Sequence, residues 1–175
     1  MKVLYLKIVE TFKKDKIIKR FTDKNLPIVK HIDLYRGQDY NQGAFEASLF
    51  PALFVKWSID YKTRPAIATI TFRLCWEQLR DTSSLNNNPE QALKFLDFID
   101  EVDNILKEIE TEHTGKFTLA TEELNAEDTI IDTESLVYTC NYTGKESTSI
   151  IDYQKGVIDN TEMIGTLFTT SQDIG

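Results

Sequence analysis

The sequence is poor in the residues on which most chemistry depends. Its 175 residues include two histidines, two cysteines and seven glycines. The glycines are scattered, and no phosphate loop or Rossmann fingerprint is present, nor a zinc spacing or a nucleophile elbow. Cys75 and Cys140 both fall within predicted strands, which makes a disulfide framework improbable and suits a reducing compartment. Long apolar runs are also missing. The most apolar, residues 47–55 and 65–72, fall far short of the roughly 18 residues a membrane span needs. The stretch "KVLYLKIVETF" is interrupted by Lys7 and Glu10 and is followed by no small-residue cleavage site, so it is not a signal peptide. The expectation is a soluble protein, intracellular when made.

Positive charge is in deficit. Twenty Lys and Arg stand against 28 Asp and Glu, a net charge of −8, which argues against a general nucleic-acid binder. Otherwise the composition is globular, with 41% hydrophobic and 11% aromatic residues, enough for one domain with a real core. The charge is unevenly spread: residues 1–40 carry ten basic and five acidic side chains, residues 84–135 three and fourteen. Such polarity suits copies that stack with unlike charges facing, or is plain solvated surface.

What ionisable chemistry remains is sparse. Glu110 and His113 form one Glu-x-x-His pair at helical spacing, but a carboxylate-bridged metal site needs a second pair and further carboxylates. His113 at a helix C-terminus, meeting the dipole, is the plainer reading. His31 lies in a predicted strand. Cys75 falls mid-strand between Leu74 and Trp76, a setting for an inert thiol rather than a nucleophile. Glu122 with Glu123, or Asp128 with Asp132, could bind Mg²⁺ in principle, yet pairs arise by chance in so acidic a region. Asn141-Tyr142-Thr143 matches a glycosylation acceptor that matters only in a secreted chain. The expectation is no enzyme, no catalytic residue, no cofactor and no metal.

Periodicity supplies the architecture. Leu4, Ile8 and Phe12 mark one helical face over residues 2–14, and residues 15–25 are loop or a second short helix. A strand follows at 28–35, closed by Gly37, then a loop over 38–49. In "FPALFVKWSIDYKTRPAIATITFRLCWEQLRDTSS" two alternating runs form a hairpin. A four-residue loop at 62–65 sets Trp57 opposite Ile70 and Val55 opposite Phe72, so both apolar sets share a face. Asn88 as N-cap and Pro89 at the first position start a helix predicted to run to about Glu110. Its stripe of Ala92, Phe95, Leu96, Ile99, Val102, Ile105, Leu106 and Ile109 should cover the hairpin. "KFTLATEEL" and "ESLVYTCNYTG" form a second strand pair. The sum is an α+β domain over residues 1–144, an antiparallel sheet whose long hairpin packs on a long amphipathic helix. Residues 145–175 are weakly patterned, with only "MIGTLFTT" strand-like, and are expected to be an extended arm making inter-subunit or partner contacts.

Glu90, Asp97, Glu101 and Glu108, spaced by seven, four and seven, fall on one line opposite the apolar stripe. Like charges at i, i+4 cost a few tenths of a kcal/mol per pair, so the line is either solvated surface or a face kept negative to meet a basic partner or repel nucleic acid.

The segments "KHIDLYRGQDYN", "FPALFVKWSIDY" and "ATITFRLCWEQLRDTSS" resemble the tail terminator and related neck proteins of tailed bacteriophages. There too an "IDLY"-type strand precedes a Phe-Pro-Ala-led hairpin whose second arm ends in a polar segment before a helix. The likeness covers residues 1–143 in element order and is motif-like over 31–84; the C-terminal segment has no counterpart. It implies a tail-terminator-like fold and a virion structural protein at the neck, made in the host cytoplasm. It further implies a six- or twelve-fold homo-oligomeric ring between portal or connector and tail proteins. DNA would pass through without specific binding, and there would be no membrane. The alternative is a soluble assembly adaptor or chaperone-like module that leaves before completion. Under the ring reading, a second arm of about 14 residues spans roughly 46 Å, more than one domain buries. Its end, Trp76, Glu77, Gln78, Leu79 and Arg80, and Met163, Leu167 and Phe168 of the arm are then the interface candidates. The line of Glu90, Asp97, Glu101 and Glu108 would face the bore or a basic neighbour.

Overall fold

The computed structural model describes residues 1–40, 50–76, 82–125 and 132–145. Two helices, α1 (Lys2–Phe12) and α2 (Asp15–Asp23), precede a short strand β1 (His31–Leu34) and a single 3₁₀ turn (Gln38–Tyr40). The hairpin β2 (Ala52–Asp60) and β3 (Ala66–Trp76) follows, then α3 (Pro89–Ala92), α4 (Lys94–Leu106), β4 (Thr118–Asn125) and β5 (Asp132–Tyr142). The five strands make one sheet in the order β1-β2-β3-β5-β4. The fold is α+β, as the periodicity predicts.

The hairpin register is the one that alternation requires: Val55 lies opposite Phe72 and Trp57 opposite Ile70. Leu53 and Val55 of β2, Ile70, Phe72 and Leu74 of β3, and Leu136 and Tyr138 of β5 share the face covered by the helices. Leu4, Ile8 and Phe12 of α1 and Ile17 and Phe21 of α2 complete that core. A ladder of rings ties the layers together, from Phe12 to Phe21 (6.5 Å), Phe21 to Phe98 (5.6 Å) and Phe98 to Trp76 (4.8 Å). A smaller apolar group of Phe50, Ala52, Phe54 and Cys75, with Tyr35 against it, sits on the opposite face.

Three expectations need correction. The sheet is mixed, because β1 runs parallel to β2, with Ile32 opposite Leu53. The helix after Pro89 is broken at Leu93, and α4 ends at Leu106 instead of continuing to Glu110. The Asn88 cap is present, its side chain accepting from the Gln91 N–H at 3.3 Å. The predicted stripe holds at Ala92, Phe95, Ile99, Val102, Ile105, Leu106 and Ile109, all buried, but Leu96 is 44% exposed and Phe98 is buried in its place. Finally, β3 is long because it has two partners. All eleven of its residues pair with β5, from Ala66 opposite Tyr142 to Trp76 opposite Asp132, while β2 takes the other edge. The strand therefore has no overhang up to Trp76, and residues 77–81 lie outside the described residues. So do residues 146–175, including "MIGTLFTT".

Candidate functional site

Trp76 is the interface candidate that the structure describes, and it closes β3 at one end of the sheet. Its ring stands edge-on to Phe98 of α4. On one side of it opens a cleft of about 230 Å³ lined by Pro27, Lys30, Phe50, Pro51 and Trp76. Backbone pairing holds the cleft's walls, with the Lys30 N–H donating to the Pro51 carbonyl at 2.9 Å. Lys30 is the one charged group among these lining residues, so the cleft pairs apolar walls with a single ammonium. Trp76 also lines a cavity of only about 10 Å³, together with Leu74, Phe98, Ile99, Leu124 and Glu134. The other interface candidates, Glu77, Gln78, Leu79 and Arg80 and the distal Met163, Leu167 and Phe168, fall outside the described residues.

Sequence reasoning missed a polar cluster on the sheet face away from the helices. Arg73 of β3 forms a buried ion pair with Asp39 of the 3₁₀ turn. Its guanidinium carbon lies 5.5 Å from the ring centroids of both Tyr35 and Tyr40, and Nη2 donates to the Tyr40 hydroxyl at 3.3 Å. Planar guanidinium between two rings is favourable stacking and electrostatics together. Burial, and then the Asp39 carboxylate, push the Tyr35 hydroxyl above its ordinary pKa. A signal was present in the sequence: one arginine inside the run "TFRLCW" needs a carboxylate somewhere. Cys75 is wholly buried beside this cluster; burial first, then Asp39, drive its thiol far above the usual range, which leaves it inert as a nucleophile. Burial likewise pushes Cys140 up to about 11.

The acidic line does not survive as one surface. Glu90 and Asp97 are exposed. Glu101, expected opposite the apolar stripe, is buried against α2, its carboxylate held by Arg20 Nε at 2.5 Å and by Lys24 Nζ. Arg20 also donates to Glu108 at 2.7 Å. Burial alone would raise the Glu101 pKa, but the hydrogen bonds from Lys24 and Arg20 outweigh it and hold the carboxyl below its ordinary value. Part of the acidic charge of α4 is thus spent within the domain on the basic charge of α2.

His113 lies beyond the helix, in the turn between Thr111 and Thr114, with its ring 3.4 Å from Glu112. The expected helix-dipole contact is therefore absent, and Glu110 and His113 are not at helical spacing. Among the described residues no group of three or more His, Cys, Asp or Glu side chains could hold a metal ion, and no helix is long and apolar enough to cross a membrane. No protein-family model matches the chain, and comparison with curated proteins finds no match.

Proposed function

We propose that this chain is a structural ring subunit of a bacteriophage neck or tail terminator, a virion protein that joins head to tail and surrounds the path of the DNA. The supporting observation is how the resembling stretches meet. "IDLY" is β1, "PALFV" lies beside it in β2 with Ile32, Asp33 and Leu34 opposite Leu53, Phe54 and Val55, and Asp39 of "GQDY" clamps Arg73 of "TFRLCW". Segments separated in the chain come together on the neighbouring strands β1, β2 and β3, which supports reading the three stretches together. Its role is to hold geometry: the ion pair of Arg73 with Asp39 and the rings of Tyr35 and Tyr40 lock this end of the sheet. The exposed acids of α3 and α4, Glu90, Asp97 and Asp100, give phosphates nothing to replace their counterions, which suits a wall that DNA slides past.

Negative-stain images of the purified full chain test this reading. Rings of six or twelve subunits are the expected result, together with a stoichiometric band in virions that carry the protein. A chain that stays monomeric at concentrations of tens of micromolar and is missing from the finished virion would be an adaptor instead.

A further inference from the structure

Glu134 is 6% exposed, and its Oε2 has no hydrogen-bond partner among the described residues. A carboxylate buried this deeply is ordinarily paired or hydrogen-bonded, because desolvating an unpaired charge costs several kcal/mol. Among the described residues the surroundings supply no cation. Glu134 lies opposite Leu74 on β3 and Leu124 on β4. Phe95, Phe98 and Ile99 of α4 and Trp76 of β3 line the same cavity as Glu134. The described charged groups around it share its sign: Glu122 and Glu123 from β4, and Asp132 from β5. The cavity, about 10 Å³, is at the lower limit for one water molecule and far too small for a ligand or a partner's side chain. What is free to vary at this position is the proton.

We propose that Glu134 is a proton-operated latch on the β4 edge of the sheet. With the carboxyl neutral, β5, β4 and the first turns of α4 close over a nearly dry cavity. Loss of the proton to solvent places a charge against Phe98 and beside Glu122, and the corner relaxes by admitting water and loosening β4. Burial first, and then Glu122 and Glu123, push the carboxyl up to about 7 from an ordinary 4.5, so the transition lies near neutrality. The folded state therefore holds a proton that the unfolded chain has released between those values. The contribution to stability is full below pH 4.5, declines as pH rises to about 7, and stays lost above it. This inference concerns the fold alone and does not depend on the ring.

Trp76 lines the same cavity and reports on it. In the full-length chain with Trp57→Phe, which leaves Trp76 as the single tryptophan, emission should change sigmoidally with a midpoint near pH 7. Adding Glu134→Gln, which keeps the shape and removes the titration, should abolish that step. The folding constant of the Gln variant relative to its parent should rise at least tenfold between pH 5 and pH 8, since one proton contributes up to about tenfold per pH unit. Glu134→Leu serves as the second variant if the amide is poorly accommodated. Carboxyl ¹³C NMR on the unsubstituted chain decides even if neither variant folds: titration of Glu134 within about a unit of 4.5 overturns the latch, as does an unchanged pH profile in either variant.

Discussion

Glu101 and its two partners carry the most consequential charge contact between helices. Its side chain is 1% exposed, whereas Arg20 is 31% and Lys24 57% exposed. Removing one partner from a fully buried pair costs about 3–5 kcal/mol, but here both cations keep a route to water, which lowers the figure. Arg20→Ala should cost about 1–3 kcal/mol in a urea titration at pH 7. The pH dependence has a definite sign. With the folded pKa held below the ordinary carboxylate value, the contribution is present above the unfolded pKa and is lost as pH falls through the folded one. Wild-type stability should therefore decline on acidification below about pH 4.5 by more than that of Glu101→Gln. Parallel acid limbs for the two proteins would show that the ion pairs contribute nothing. Glu134 contributes with the opposite sign and over a higher range, so the two carboxyls can be separated in one pH series.

Among the elements, the hairpin and its cover were the most legible from sequence. Strict alternation in both arms leaves one loop length that keeps the apolar sets together, and burial enforces it. Phe72 sits at the centre of that arrangement, fully buried, with the rings of Tyr138 at 5.6 Å and Phe117 at 5.9 Å. Phe72→Ala should cost about 3–5 kcal/mol in denaturant. A loss under about 1 kcal/mol would contradict the packing around this ring. The break at Leu93 was not legible, because Ala92, Leu93 and Lys94 are all good helix formers and no Gly or Pro marks the stop. The parallel pairing of β1 was hidden for a different reason: a four-residue strand carries no direction in its composition, and only the length of the segment before β2 hints at a crossover. Burial of Glu101 depended on a neighbour distant in sequence. Arg20 of α2 and Lys24 just past its end meet Glu101 of α4 and Glu108 just past that helix, a complementarity that a helical wheel of α4 alone cannot display.

At the scale of the whole molecule, the described core begins near the N-terminus and closes at Tyr142. The N-terminal helices are integral, since Leu4, Ile8, Phe12, Ile17 and Phe21 are all buried in it. Every described strand and helix ends at or before Tyr142, and the described members of the apolar core lie between Leu4 and Tyr142. Deleting residues 146–175 should accordingly leave a folded domain with the circular dichroism of the full chain and a similar cooperative unfolding transition. If the protein is a ring subunit, the segment "MIGTLFTT" is the part best suited to reach a neighbour, because apolar residues in an extended run gain most by adding to another subunit's surface or sheet edge. The β4 edge, with β5 as its pairing partner in the strand order, is such an edge. The truncated chain should then assemble more weakly, with its mass by light scattering shifted toward the monomer at concentrations where the full chain forms rings. Truncated protein that still forms the complete assembly would remove the segment from the interface. Truncated protein that fails to fold would instead place the segment in the core, and the domain would have to be redrawn to include it.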